Sequence, residues 1–358
     1  MKTGEFEAAT GPHRRELFAY CYRMTGSVSD AEDLVQEVYL RAWQAFDRFE
    51  NRSSVRTWMY RIATNACLSA LQRSGRRPLP SGLGPPSNDP HGVPEPPPAG
   101  VLWLDPVPDR LVVDERADPA EVVAARHSVR LALVAALQLL PARQRAALIL
   151  CEVLDLSAAE AAGLLDISVA AVKSLLQRAR ARIHQAALSD ADIAEPTDEG
   201  ARRVLDQYTA AFERSDPAAI ERLLADDAVL EMTGTSTWFS GKATCTPYIA
   251  EQAIGHPGDW TAVPLRANGQ LAAAAYHRGP DKAYHAFAIV VLATTRRHLS
   301  RITLFGDPGL FGHFGLPLVQ PGSRELPRPL RAPLHRVSPG AACGESRSGR
   351  AARGRRSG

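Results

Sequence analysis

The sequence predicts a multidomain chain: two all-α domains followed by an α+β domain. Three observations carry this. Apolar residues recur at three- and four-residue spacing from about His13 to Arg77, and again from about Glu121 to Leu188. Twelve of the 27 prolines crowd between Pro78 and Pro119 and part the two blocks. Residues 201–318 open with helical periodicity and then turn strand-like. The expected divisions are 10–78, a flexible Pro/Gly-rich linker at 79–120, 121–188, 200–318, and a basic disordered tail at 319–358.

Composition narrows the class. A hydrophobic fraction of 45% with 23% charge excludes wholesale disorder. The longest apolar run, Ala286 to Ala293, is far short of the ~20 residues a membrane span needs. The N-terminal stretch lacks the apolar core of a secretory signal. Five cysteines are scattered without a C-x-x-C pair, which fits a reducing cytoplasm and points to neither a disulfide framework nor a metal site. The net charge of +3 conceals a division: residues 321–358 carry nine Arg and two Glu, and the rest of the chain is net acidic. Nucleic-acid affinity in the body must therefore come from local patches.

In the first block, Ser29 with Glu32 reads as a capping box opening a helix. Ala31, Leu34, Val35, Val38 and Ala42 form its apolar stripe. Asp30, Glu32, Asp33 and Glu37 are acids that the helix dipole favours near an N-terminus, or an acidic face for a basic partner. From Asn51 to Asn88 there is no acid and there are six Arg. Trp58, Ile62 and Ala66 share a helical face, and Tyr60 lies about 200° from Ile62, so Tyr60 and Arg61 are expected to face out. A basic helix with an exposed aromatic suits single-stranded nucleic acid, since bases stack on rings while guanidinium groups hold phosphates.

In the second block, Ser157 and Glu160 form a capping box, Asp166–Ile167 a tight turn, and Ser168 a second N-cap. Val172, Leu175, Leu176, Ala179 and Ile183 point inward, leaving Lys173, Ser174, Gln177, Arg178, Arg180 and Arg182 outside. No acid occurs from Ile167 to Leu188. Two short helices, a tight turn and a basic second helix describe a helix-turn-helix, whose second helix enters the major groove. An ordinary helical hairpin is the alternative.

In the third domain, Val204–Leu224 suggests two helices broken at Asp216–Pro217, with Asp226–Asp227 ending a helix. Ala228–Met232, Ser236–Phe239, Tyr284–Ala293 and His298–Phe305 read as strands, and Asn268–Gly269 as a type I′ hairpin turn. Eleven bases and eleven acids between Gly200 and Gln320 make this part neutral, which argues against DNA binding. Trp238, Tyr248, Trp260, Tyr276, His277 and His285 are candidates to line a pocket.

The stretches DAEDLVQEVYLRAW (Asp30–Trp43), RTWMYRIATNACLSALQRSGRR (Arg56–Arg77) and LPARQRAALIL with the helix-turn-helix (Leu140–Ile183) resemble RNA polymerase sigma factors of the extracytoplasmic-function type. The N-terminal inhibitory region and middle domain of housekeeping sigma factors have no counterpart here. The resemblance implies that the first block is region 2, a helical bundle. Its Asp30, Glu32, Asp33, Gln36 and Glu37 would dock on the β′ clamp helices of core polymerase. Asn51, Arg52, Ser53, Ser54, Arg56, Tyr60, Arg61, Asn65, Arg73, Arg76 and Arg77 would melt and read the −10 element. Ser69 and Gln72 depart from the Asp and Arg common in that stretch. The second block would be region 4, near the β flap, reading the −35 element through Ser168, Lys173, Ser174, Gln177, Arg178, Arg180 and Arg182. The pattern of 201–318, including EMTGTSTWFSG and RITLFGDP, resembles the cone-shaped SnoaL-like fold.

These readings imply a cytoplasmic, non-enzymatic promoter-specificity subunit with no cofactor, no metal and no catalytic residue. Its partners would be core polymerase and promoter DNA, with an anti-sigma factor or a small ligand as further candidates, and its last domain would modulate it. Two other classes are a stand-alone helix-turn-helix regulator, which leaves the acidic helix without a task, and a SnoaL-like cyclase or isomerase.

Overall fold

The computed structural model describes residues 2–50, 53–73, 75–186 and 193–320. The basic tail lies outside the described residues, apart from its first two positions.

The first helical module comprises α1 (Lys2–Thr10), α2 (Arg14–Thr25), α3 (Val28–Ala45) and α4 (Val55–Leu71). Gly26, at φ +71°, ends α2 in the left-handed conformation that an L side chain enters at a cost. A Cβ there would also meet Leu104 at 2.8 Å. The turn leaves Ser27 extended, so Ser27 caps α3 by accepting from the Asp30 amide. The expected Ser29–Glu32 box is thus displaced: Ser29 is already inside the helix. Ala31, Leu34, Val35, Val38 and Ala42 are all buried, as their spacing requires. Trp58 is partly buried and stacks on Phe49, centroids 4.7 Å apart.

The proline-rich segment is not the flexible tether expected of it. It lacks long elements, with a single 3-10 turn at Pro80–Gly82 and the four-residue α5 (Asp109–Val112), yet Leu79, Leu104, Val107 and Val112 are buried in the common core. Prolines forbid helix here but leave carbonyls and the remaining amides free to bond elsewhere.

The second helical module comprises α6 (Pro119–His127), α7 (Leu131–Gln138), α8 (Ala142–Leu148), α9 (Ala158–Leu165) and α10 (Val169–Ala186). Ser157 and Glu160 form the reciprocal capping box of α9. Asp166 ends α9 at φ +53°, the left-handed geometry that Asp tolerates better than most residues. The Ser168 hydroxyl accepts from the Ala171 amide, 3.2 Å, at the start of α10.

The third part is α11 (Glu199–Glu213), α12 (Pro217–Leu223), α13 (Lys242–Tyr248) and α14 (Leu310–His313), with strands β1 (Leu224–Met232), β2 (Trp238–Ser240), β3 (Trp260–Ala267), β4 (Gln270–Arg278), β5 (Tyr284–Thr294), β6 (Leu299–Phe305) and β7 (Val319–Gln320). The sheet runs β2-β1-β6-β5-β4-β3, with β7 paired to β5. β1 and β6 are parallel, and the other pairs antiparallel. Asp226 and Asp227 do not end a helix. They are exposed in β1, because α12 stops at Leu223 and the strand starts at once through an irregular register.

The sheet is a partition between two cores. Ala272, Ala274, Tyr276, Ile289, Val291 and Phe305 join one apolar cluster with both helical modules. Leu271, Ala273, Val290, Leu292 and Ile302 face the other way, onto α11, α12 and α13. Strict two-residue alternation assigns adjacent residues to opposite cores.

The candidate nucleic-acid faces and the domain cavity

On α3, the apolar stripe fixes which residues remain outside. Glu32, Asp33 and Gln36 are exposed, and Leu40, 58% exposed, extends the same outer face. An exposed leucine among acids is a signal that charge counting overlooked. Asp30 is instead engaged by Arg77 at 2.8 Å, and Glu37 by Arg41 at 2.5 Å. Two candidate residues from different faces, Asp30 and Arg77, thus neutralise each other.

On α4, Ser54 is the N-cap, accepting from the Thr57 amide, and Ser53 beside it is exposed. Asn51 and Arg52 lie outside the described residues. Arg61, Asn65 and Ser69 are exposed at helical spacing on α4, and Gln72, Arg73 and Arg76, past its last residue Leu71, are exposed too. Tyr60 does not face out. It is buried, edge-on to Tyr20 at 5.4 Å, its hydroxyl donating to Glu16 at 3.3 Å. Burial, and then the Glu16 carboxylate, push its phenol well above the ordinary tyrosine range. Arg56 donates to the same Glu16 carboxylate at 2.8 Å and sits over the Tyr60 ring at 5.1 Å. The side of α4 opposite Ile62 meets α2 rather than water, so the wheel angle alone misplaced the ring. Glu16, which organises both residues, had no mark in the sequence.

On α10, Val172, Leu176 and Ala179 are buried, and Leu175 and Ile183 partly so. Lys173, Ser174, Gln177, Arg178, Arg180 and Arg182 are all exposed. Arg180 is shared with Glu152, at 2.5 Å. The outer surface of this helix is basic along its length.

The two basic helices belong to neighbouring structures. Arg61 of α4 donates to the Gly163 carbonyl of α9 at 3.3 Å. Buried Arg145 of α8 donates to the Met24, Leu137, Gln138 and Leu140 carbonyls. Burial lowers its guanidinium to about 10.

The β3–β4 hairpin tip is wedged among all parts. Asn268, fully buried at φ +56°, accepts from the Val107 amide at 3.0 Å and donates to the Tyr22 hydroxyl at 2.8 Å and the Val129 carbonyl at 2.9 Å. The Gly269 amide donates to Asp109 at 2.7 Å, and a Cβ on Gly269 would meet the Arg126 carbonyl at 2.5 Å. Burial raises the Asp109 carboxyl to about 6. The linker is held too. Ser87 donates to the Trp238 carbonyl at 2.8 Å, Ser236 to Glu95 at 2.9 Å, and Ser81 to buried Glu231 at 3.2 Å.

A cavity of about 330 Å³ opens between α11, α13 and the sheet. Tyr248, Trp260 and His277 line it. Trp238, Tyr276 and His285 do not. Trp238 donates to the Gly84 carbonyl at 2.9 Å, Tyr276 points into the other core and donates to Pro317 at 3.0 Å, and His285 pairs with Asp281 at 3.0 Å. Adjacent strand residues Tyr276 and His277 cannot share a face. Among the described residues no group of three or more His, Cys, Asp or Glu could hold a metal, and no helix is long and apolar enough to cross a membrane.

Residues 11–77 match the family described as Sigma-70 region 2, and residues 130–183 that described as Sigma-70, region 4. The chain is 47% identical over 320 residues to the ECF RNA polymerase sigma factor SigG of Mycobacterium tuberculosis H37Rv, covering 88% of this chain and 85% of that one. It is 31% identical over 245 residues to SigJ of the same organism, covering 68% and 67%. The crystal structure of Mycobacterium tuberculosis SigJ shares the fold, with a TM-score of 0.56 at 24% identity over 88% of this chain and 99% of that one.

Proposed function

We propose a function from one premise: the chain belongs to the extracytoplasmic-function RNA polymerase sigma factors. It is a non-enzymatic initiation factor that binds core RNA polymerase and promoter DNA, with a SnoaL-like domain behind its two sigma regions. Its place of action in this reading is the cytoplasm. The outer face of α3, with Glu32, Asp33, Gln36 and Leu40, docks on core polymerase. The exposed residues of α4, Arg61 and Asn65, with Arg73 and Arg76 just beyond its end, take the −10 strand. The basic face of α10 takes the −35 element, with Gln177 and Lys173 toward base edges and Arg178 and Arg182 on phosphate. The observation that carries this is the run of exposed polar and basic side chains on α10, with no acid from Ile167 to Ala186.

The arrangement described is a closed one. The −10 and −35 elements are nominally about 25 base pairs apart, which is about 85 Å of duplex. Region 2 and region 4 touch through Arg61 and Gly163. They cannot engage both elements without separating, and the SnoaL-like domain, wedged against both, holds them together. Regulation in cis follows from this.

Run-off transcription with purified core polymerase tests it. Asp33→Arg with Glu37→Arg abolishes core binding; a stand-alone DNA-binding regulator would be indifferent. Arg178→Ala weakens promoter binding and lowers the salt slope by about one. Unchanged promoter output after removal of residues 200–358 would reject regulation by the third domain.

A further inference from the structure

The first turn of α10 is poor in the groups that read bases by hydrogen bonding. Ser168, Val169 and Ala170 are exposed there, with Lys173, Ser174 and Gln177 exposed farther along. The Ser168 hydroxyl oxygen is engaged as the cap, accepting from the Ala171 amide at 3.2 Å. Val169 and Ala170 bring only methyl groups. From Ser168 to Ala171 there is no amide, guanidinium or ammonium side chain.

Val169 is 40% exposed, and no other large apolar side chain of α10 is as open among the described residues. Ile167 before it and Leu175 after it pack against the apolar core, and Val169 stands outside that packing. Helix stability does not call for it either, since a β-branched residue is a poorer helix former than alanine. A lone exposed valine elsewhere on a surface needs no explanation. This one opens the helix whose N-terminal residues face base edges in a helix-turn-helix.

The major groove displays donors and acceptors on every base pair, and one methyl group, that of thymine. Valine against a guanine or cytosine edge strips water from a polar group and returns no hydrogen bond. Valine against the thymine C5-methyl removes apolar surface from water on both sides. We propose that Val169 is a specificity-determining residue of this chain, selecting thymine in the upstream promoter element by contact with its C5-methyl group. The assignment rests on the reading of α10 as the −35 helix and deepens it. Val169, Lys173 and Gln177 follow at four-residue steps and form a row along the helix. From the first to the last the helix rises about 12 Å, about three to four base-pair steps. The methyl contact therefore lies at one edge of the contacted bases, and hydrogen-bonding contacts occupy the rest.

The full-length chain, assembled with purified core polymerase, first selects upstream elements from a duplex pool randomised over that stretch. Each thymine of the selected element is then replaced by deoxyuridine, which pairs identically and lacks only the methyl. Affinity is expected to fall about fourfold at a thymine on one edge of the element. Val169→Ala, which an exposed first turn accepts, binds thymine and deoxyuridine there equally. Val169→Thr, of the same shape with one methyl exchanged for a hydroxyl, lowers the ratio in the same direction, and Val169→Ile keeps it. Lys173→Ala weakens binding as a whole and leaves the ratio at that position unchanged. A residue that only shaped the helix end would lower affinity for both bases alike. Absence of a methyl-sensitive thymine from the selected element, or an unchanged ratio in Val169→Ala, overturns the assignment. A pool with no enriched upstream sequence fails in a different place: it removes the −35 reading of α10 itself, and this assignment with it.

Discussion

Two seams hold this molecule closed, and they are built differently. Where region 2 meets region 4 directly, the shared apolar core also encloses polar groups that are incompletely satisfied. Arg23 and Arg145 are buried cations bonded to a hydroxyl and to carbonyls. The Arg23 Nε and Gln138 Oε1 atoms have no partner among the described residues. Where the sheet meets both regions, the contact is an alanine-rich apolar face capped by a hairpin tip whose Asn268 makes three side-chain hydrogen bonds, although Asp109 Oδ2 and Arg126 Nε beside the tip have no partner among the described residues. Burying a cation without a carboxylate opposes association, whereas apolar burial with satisfied polar groups favours it. The two seams share one apolar core and differ in the hydrogen bonds laid over it, which are most numerous at the hairpin tip.

This contrast is sharpened or broken by substitutions at the two seams. Asn268→Gly keeps the left-handed turn, since glycine accepts φ +56° freely, and removes three side-chain hydrogen bonds. A loss of about 3 kcal/mol from the closed state is expected. Small-angle scattering should show an expanded chain, and protease should cut the linker faster.

A smaller effect comes from pH. The Asp109 carboxyl is raised to about 6 by burial under the hairpin, and it returns to the ordinary range once the tip lifts away. A carboxyl raised in the closed state favours that state as pH falls through 6, and the advantage disappears as pH rises above it. Between pH 7 and 5 the closed form should gain about 1.3 kcal/mol, or tenfold, from this group. Asp109→Asn should flatten that dependence in the same scattering measurement.

The smallest effect is expected at the polar seam. Gln138→Leu removes one hydrogen bond to the Arg23 carbonyl together with the unpartnered oxygen. Chemical denaturation should change by less than about 1 kcal/mol. A loss as large as that of Asn268→Gly would erase the distinction between the seams.

Much of this was legible in the residues, for local reasons. Helices α3 and α10 each bury one face, so an apolar stripe identifies their buried and free sides unaided. The Ser157–Glu160 box and the Asp166 turn are satisfied within a few residues, and the Asn268–Gly269 turn is marked by its residue types although its side chain bonds distant partners. Failures came where a second surface decides. Tyr60 lies on a helix packed on more than one side, and its partners Glu16 and Tyr20 are some forty positions away. Three of six pocket candidates miss the cavity for three reasons: strand parity turns Tyr276 away from His277, His285 is held by Asp281, and Trp238 is taken by the Gly84 carbonyl. The Pro-rich stretch was expected to be loose because it cannot make its own ladder. It borrows one from the sheet.

That borrowed ladder bears on how far apart the two basic helices, α4 and α10, can move. Roughly 40 residues separate the sigma regions, a contour length of about 130 Å when fully extended, ample for the span between promoter elements. With Ser81, Ser87 and Glu95 pinned along β1, β2 and the loop between them, the first part of that length is held on the third domain. Releasing that length requires both breaking these hydrogen bonds at the sheet margin and uncovering Leu79, Leu104, Val107 and Val112, which the core buries, so the spacer is part of the folded body and its length is not free.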